Sequence, residues 1–260
     1  MTPRTPANGR SLVVVPTYNE ADNVAALVEA TLRVSDELEM LFVDDNSPDG
    51  TGQILEGIAA HHDRVHVIHG TRKAGLGRAY VSGFRWALAR DYAYVLEMDA
   101  DFSHNPSDIE GLLRMTQRSD VTLGSRYLGG TRVVNWPRWR LFLSRGAAFY
   151  VRWATGLPAS DPTGGFRCYR RAVLETLALQ DIRSDGYAFQ VELAHQAWRR
   201  GFQVVDYPIT FEERRAGSSK MSWAIVLEAT WMVGALLARS RFRRSPGAVN
   251  PRSIASTRSG

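Results

Sequence analysis

Through its first 127 residues the chain alternates short, uninterrupted apolar runs with stretches whose apolar positions recur at helical spacing. The runs fall at 11–16, 39–45, 64–70, 92–99 and 120–127, and the helical stretches at about 20–34, 51–62, 76–90 and 106–118. This alternation predicts an α/β fold, a mostly parallel sheet flanked by helices in the Rossmann-like manner. The runs are continuous, as strands buried on both faces require. Asn105 is placed to cap a helix that Pro106 opens, with Asp108 in its first turn, where the helix dipole favours an acid.

Beyond residue 127 the pattern is less regular and predicts a loop at 128–137, a helix at 138–155, a Gly-rich turn at 161–165, a helix at 187–200 and a strand at 202–211. Residues 222–238, SWAIVLEATWMVGALLA, are apolar around nearly the whole helical circumference and need nonpolar surroundings on several sides. These 17 residues, Glu228 among them, fall short of a membrane-spanning helix, which takes roughly 20 mostly apolar residues. The segment reads as a membrane-associated interfacial helix, with a core or dimer helix as the alternative. From 229 to 260 there is no Asp or Glu, while Arg239, Arg241, Arg243, Arg244, Arg252 and Arg258 form a basic tail suited to lipid headgroups.

A length of 260 residues, with 44% hydrophobic and 23% charged, is that of one globular domain with tails. The expected division is a flexible leader at 1–10, the α/β domain at 11–221, the apolar helix at 222–239 and a basic flexible tail at 240–260. The leader lacks the apolar core of a secretory signal. Cys168 is the single cysteine, which excludes an intramolecular disulfide, fits a reduced compartment and is read as buried filler. A net charge of +5 and a pI near 9.6 admit nucleic acid, an anionic membrane or phosphate-bearing substrates. The aromatic residues expected beside a nucleic-acid patch are sparse after Phe242, which argues against nucleic acid. Only Lys73 and Lys220 among the 32 basic residues are lysine, hinting that a compact ammonium is wanted there.

In open α/β sheets, ligands bind beyond the carboxyl ends of the strands. The polar clusters Thr17-Tyr18-Asn19-Glu20, Asp44-Asp45-Asn46-Ser47 and Asp99-Ala100-Asp101 all fall there, so one rim is expected to collect them. Asp99 and Asp101 suit a hard divalent cation such as Mg²⁺, which takes one or two carboxylates and completes its shell with waters and substrate phosphate oxygens; the alternative is a pair of solvated loop acids. Asp44, Asp45 and Asp49 are more acids than a turn and a helix cap need, leaving a carboxylate for a nucleobase or ribose. Gly75 and Gly77 either admit backbone amides to a phosphate or form a helix-start turn. His104 reads as a capping or packing residue, and His61, His62, His66 and His69 lack a compact metal-ligand spacing.

The ordered motifs PTYNE (16–20), VDDNSPDGT (43–51), GLG (75–77), MDADFSHNP (98–106), GSRY (124–127), DPTGGFR (161–167), GYAFQVEL (186–193) and FEERRAGSSKM (211–221) span most of the chain. As a set they resemble the dolichol-phosphate and bacterial polyprenol monophosphomannose synthases of glycosyltransferase family 2. The resemblance implies a GT-A fold and inverting transfer of mannose from GDP-mannose to a polyprenyl monophosphate. It assigns Pro16, Tyr18, Glu20, Val43 and Asp45 to the nucleoside. Asp99, Ala100 and Asp101 match the metal and diphosphate motif, with Mg²⁺ or Mn²⁺ as the cofactor and Asp101 its foremost ligand. Arg126, Arg214 and Lys220 match phosphate-contacting residues and Arg140 an acceptor-phosphate contact, so Asp101, Arg126, Arg140 and Lys220 form the expected catalytic set. Ser103 departs from the family members that carry Gln there as an additional metal ligand.

The same resemblance implies a peripheral enzyme on the cytoplasmic face of a membrane, and leaves room for a separate membrane-anchoring protein. Apolar surfaces near 141–157 and 222–238 offer places for the first isoprenyl units. Two other readings stay open: a polyprenyl-phosphate transferase using UDP-glucose or another nucleotide sugar, and a non-catalytic nucleotide-sugar-binding protein. No QxxRW motif is present, which disfavours a processive polysaccharide synthase.

Overall fold

The computed structural model describes residues 9–211, apart from 132, 135, 183 and 185. The expected leader up to residue 8, the apolar helix at 222–239, the basic tail, Arg214 and Lys220 lie outside the described residues. Among the described residues no helix is long and apolar enough to cross a membrane.

Seven strands form one sheet: β1 (Ser11–Thr17), β2 (Leu38–Asp44), β3 (Val65–His69), β4 (Tyr94–Glu97), β5 (Val121–Ser125), β6 (Arg167–Arg170) and β7 (Val204–Pro208). Their spatial order is β3-β2-β1-β4-β6-β5-β7. β1 pairs parallel with β2 on one side and β4 on the other, so the chain reverses its direction of travel across the sheet between them. Ligand clefts of open α/β sheets form at such a reversal. The helices are α1 (Val24–Leu32), α2 (Thr51–Ala59), α3 (Leu76–Leu88), α4 (Ile109–Thr116), α5 (Arg138–Thr155), α6 (Arg171–Thr176) and α7 (Gly186–Arg199).

The continuous apolar runs are explained by two cores, one on each face. Alternate residues of a strand point to opposite faces. Accordingly Val13 and Val15 join Val24, Leu27 and Ile109 in one core, while Leu12 and Val14 join Tyr80, Phe84 and Phe189 in the other. The second core is stapled by stacked rings, Tyr80 on Phe189 at 5.8 Å. Arg10, the last residue of the expected leader, donates from Nε to Glu39 Oε1 at 2.8 Å.

Several features differ from the pattern-based expectation, among them the short helix α6, which no pattern announced. The 106–118 helix opens with a 3-10 turn, Pro106–Asp108, before α4 begins; Asn105 caps it as expected, accepting from the Ser107 N–H at 3.0 Å. The first helix starts at Val24, not residue 20, because the preceding loop spends its backbone N–H groups on side chains of the next loop. Most important, β6 is an unforeseen strand that runs antiparallel between β4 and β5. Its sequence, RCYR, has only two apolar residues, so no run announces it. β6 divides the sheet into a purely parallel half, β3 to β4, and a second half containing β5 and β7.

Candidate active site

At the carboxyl edge of the parallel half, the loops after β1 and β2 are sewn together by short side chains. Thr17 Oγ1 donates to Asp44 Oδ1 at 3.0 Å, and the N–H groups of Asn19, Glu20 and Ala21 donate to Ser47 Oγ, Thr51 Oγ1 and Asp49 Oδ2. Asn19 and Asn46 take left-handed backbone conformations, φ 61° and 59°, which asparagine tolerates better than most residues. Burial raises the Asp49 carboxyl, but the hydrogen bonds from Thr51 and Ala21 outweigh it and hold the group below the usual carboxylate range.

Of the expected nucleoside residues, Pro16, Tyr18, Glu20, Val43 and Asp45 all converge on this edge. Asp45 Oδ2 accepts from the N–H groups of Ala74 and Gly75 at 2.9 and 3.0 Å, which fixes the loop entering α3. The same loop lays Lys73 Nζ over the Tyr18 ring, 3.7 Å from its centroid. Gly75 carries a positive φ of 102°, and a Cβ on Gly77 would stand 2.6 Å from the Ser184 carbonyl oxygen. Two amides of the glycine turn are thus directed at Asp45, and Gly77 serves close packing, which favours the helix-start reading of GLG.

The acidic loop leaves β4 beside them. Asp101 is buried and its Oδ1 accepts from the Ser103 N–H at 3.0 Å; Asp99 is half-buried. Phe102, between Asp101 and Ser103, adopts φ 60°, a bulky residue in a conformation that only a well-determined loop enforces. His104 is the clamp. Its ring stacks on Phe166 at 4.9 Å and meets Phe211 edge-on at 5.8 Å, while Nδ1 accepts from the Asp99 N–H at 3.1 Å. Burial lowers the His104 pKa, so the ring is neutral and Nδ1 is available as an acceptor. The capping-and-packing expectation for His104 therefore holds.

Two observations bear on a metal. The Ser103 Oγ is buried without a hydrogen-bond partner beside the Asp101 carboxylate. A Cβ on Gly165 would lie 3.7 Å from Asp99 Oδ2, so the glycine leaves space against that carboxylate. Among the described residues no group of three or more His, Cys, Asp or Glu is arranged to hold a metal ion. Two neighbouring carboxylates, one of them half-buried, are the kind of oxygen donors that suit a hard ion such as Mg²⁺ or Mn²⁺, which accepts waters and phosphate oxygens in its shell.

The basic side is built differently. Arg126, at the end of β5, makes a bidentate pair with Asp161, Nε to Oδ2 at 2.6 Å and Nη2 to Oδ1 at 2.7 Å, and its own N–H donates to Oδ2 as well. Asp161 is fully buried; burial raises its carboxyl, and the Arg126 guanidinium more than reverses this, leaving it lowered. Arg126 stands 5.4 Å from the rings of Trp136 and Phe211, and Arg140, in the first turn of α5, stacks 4.0 Å over Trp136. A line of contacts therefore runs from Arg140 through Trp136, Phe211 and His104 to the acidic loop.

Sequence reasoning named Arg126 and Arg140 but missed what positions them. Asp161 and Trp136 lay inside quoted motifs or loops without a role. Arg167, fully buried, was also missed; it donates to the carbonyls of Gly164, Pro162 and Gln190 and so fixes the Gly-rich turn. An arginine set directly between Phe166 and Cys168 was the available signal. Glu97, one turn of strand before Asp99, is fully buried, and burial pushes its carboxyl up to about 7 against the opposing pull of Arg167.

Comparison with solved structures gives the class first. A glucosyl-3-phosphoglycerate synthase from Mycobacterium tuberculosis, solved in complex with Mn²⁺ and UDP-glucose, superposes with a TM-score of 0.65 at 17% identity, covering 92% of this chain and 82% of that one. A mannosyltransferase from Pyrobaculum calidifontis in complex with GDP-Man and Mn²⁺ gives 0.61 at 20% identity, covering 93% and 67%. The fold is GT-A. Sequence comparison is more specific. A polyprenol monophosphomannose synthase of Mycolicibacterium smegmatis is 46% identical over 242 residues, 92% of this chain and 91% of its own. An undecaprenyl-phosphate mannosyltransferase of Micrococcus luteus is 44% identical over 85% of this chain and 90% of its own. The profile of glycosyl transferase family 2 matches residues 12–178, and the chain belongs to that family.

Proposed function

We propose that the protein transfers mannose from GDP-mannose to the phosphate of a polyprenyl monophosphate. The observation that supports this most directly is the meeting, at one sheet edge, of a paired-carboxylate loop and two guanidinium groups held on aromatic rings. The 44–46% identical relatives named for this lipid mannosylation favour mannose over other sugars.

In this reading Pro16, Tyr18, Glu20, Val43 and Asp45 bind the nucleoside, and Asp99, Ala100 and Asp101 face the diphosphate. Asp99 and Asp101 hold Mg²⁺ or Mn²⁺, whose charge when bound offsets that of the departing diphosphate. Arg140, with Arg126, Arg214 and Lys220, orients the acceptor phosphate by charge-assisted hydrogen bonds. A phosphate monoester has its second pKa near 6 and is mostly dianionic at pH 7, so the chain needs no general base. One acceptor oxygen forms a bond to the anomeric carbon as the bond from that carbon to the diphosphate breaks; GDP leaves and the configuration inverts. The His104 clamp keeps the acidic loop in place through the Asp99 N–H. The lipid substrate requires a membrane surface, which makes the protein peripheral, at the cytoplasmic face where a separate membrane protein can anchor it.

The test incubates the purified full-length protein with Mg²⁺ or Mn²⁺, a polyprenyl phosphate and either labelled GDP-mannose or labelled UDP-glucose, and counts label in the organic phase. Label is expected from GDP-mannose, and Asp101→Asn is expected to lose on the order of 100-fold or more in turnover. Label from UDP-glucose alone would make the protein a glucosyl donor enzyme. Donor binding without transfer to lipid would leave only a nucleotide-sugar-binding protein.

A further inference from the structure

The exposed apolar surface of the described residues is concentrated in one place. Among the described residues eight large hydrophobic side chains are exposed, and six of them, Leu128, Val134, Trp139, Phe142, Phe149 and Trp153, lie on α5 or in the loop before it. The four on the helix are 58, 79, 70 and 76% accessible. Their positions place them on one stripe, about 80° of the helical circumference at roughly 100° per residue. The opposite face is the one that packs: Ala148, Val151 and Thr155 are buried, with Val151 against Ala188 and Val191 of α7. A contiguous aromatic surface of this kind on a folded chain marks an interaction site.

The surrounding charge identifies the partner. Residues 127–160 contain five arginines and no aspartate or glutamate. Arg145, three residues after Phe142, and Arg152, three after Phe149, are both exposed along the flank of the stripe. A second copy packed stripe to stripe would bring two rows of arginine together, which an isologous contact cannot relieve. An anionic lipid surface answers both features, since tryptophan rings settle at the headgroup boundary, phenylalanine rings below it, and arginine pairs with lipid phosphate.

We propose that α5 lies in the interfacial layer of an anionic bilayer with Trp139, Phe142, Phe149 and Trp153 inserted, and that this helix sets the depth of the active-site rim. The link to the rim is physical. Tyr127, next to Arg126, donates to Ser144 of α5 at 2.7 Å, and Arg140 of α5 sits on Trp136. A docked α5 therefore brings the Arg140 end of the site to the level at which a lipid phosphate sits. The purpose assigned to docking rests on the proposed lipid acceptor; the docking itself is read without turnover.

The experiment compares full-length wild type with Phe142→Ser/Phe149→Ser/Trp153→Ser, three exposed positions outside the catalytic set. Cosedimentation uses vesicles of phosphatidylcholine alone or mixed with phosphatidylglycerol, at low and high salt. Wild type is expected to bind the mixed vesicles, more weakly as salt rises. The variant, with an unchanged melting temperature, is expected to lose on the order of 100-fold in partitioning. Turnover on a long-chain polyprenyl phosphate in vesicles falls with binding, and by more than turnover on a short, water-soluble prenyl phosphate, which needs no bilayer. Unchanged partitioning in the folded variant overturns the proposal. So does a changed sedimentation coefficient without lipid, which would assign the stripe to a protein contact. If neither protein glycosylates either acceptor while the difference in partitioning persists, the transferase reading fails and the docking stands.

Discussion

The loops after β1 and β2 and the loops after β5 and before β6 meet at the same rim, yet they are secured by different means. On the first side at least five backbone N–H groups, from Asn19, Ala21, Ser47, Ala74 and Gly75, end on nearby serine or aspartate oxygens. Each such bond contributes about 1 kcal/mol net, and none is indispensable. On the second side a single bidentate pair, Arg126 with Asp161, is withdrawn from water, and Arg126 is only 5% exposed. The acidic half is therefore held by many small contacts, while the basic half adds to its other hydrogen bonds one buried ion pair. Burying an arginine and an aspartate is costly, and their attraction offsets the cost only while both are present.

That difference predicts the largest effect. Asp161→Asn leaves the Arg126 guanidinium buried without its counter-charge and is expected to destabilise the fold by about 3–5 kcal/mol in urea unfolding. The double variant Arg126→Leu/Asp161→Leu removes both charges and is expected to recover most of that loss while abolishing transfer. A cost below about 1 kcal/mol for Asp161→Asn would place the pair among the weak surface contacts and dissolve the contrast between the two sides.

The same contrast explains what could be read from the residues alone. On the acidic side the groups that interact are mostly 28–30 residues apart but sit just beyond the ends of strongly patterned strands. Asn105 and Pro106 announce their own turn, and Asp44 to Thr51 carries its turn chemistry within eight residues. On the basic side the partner of Arg126 lies in a turn that no patterned strand leads into, and the platform under Arg140 comes from a loop with no periodicity. β6 escaped notice because it is short and bounded by arginines, one of which, Arg167, is polar in sequence but wholly buried in the fold. The helix at 138–155 was legible in its bounds, whereas the direction of its aromatic stripe depends on which face α7 covers.

A smaller effect tests the redundancy of the acidic side. Asp49→Ala removes the acceptor for the Ala21 N–H, where water replaces it, and for the N–H and hydroxyl of buried Thr51, which keeps the Glu20 N–H as a partner. The expected cost at pH 7 is about 1 kcal/mol, with GDP affinity weakened less than tenfold. Because the folded Asp49 carboxyl is held below its ordinary value, its contribution is present above the unfolded pKa and is lost as pH falls through the folded one. Melting curves of wild type and variant should therefore converge below about pH 4. A cost of several kcal/mol, or one that persists in acid, would show that this side too depends on a single anchor.

The smallest effect concerns the seam between the halves. Cys168 lies on β6, fully buried, opposite Leu96 of β4 and Thr122 of β5. Burial pushes its thiol up to about 12, so at pH 8 the reactive thiolate is roughly 1,000-fold scarcer than for an ordinary cysteine, before access is considered. A thiol reagent should leave the native protein unlabelled over hours and label it once, quickly, in urea. Labelling then reports opening of the seam itself: Asp49→Ala should leave the native rate nearly unchanged, and Asp161→Asn should raise it, because only the second loosens the side that β6 joins to the parallel half. Equal labelling of the two variants would mean that the halves open together and that their different construction has no consequence for how the molecule comes apart.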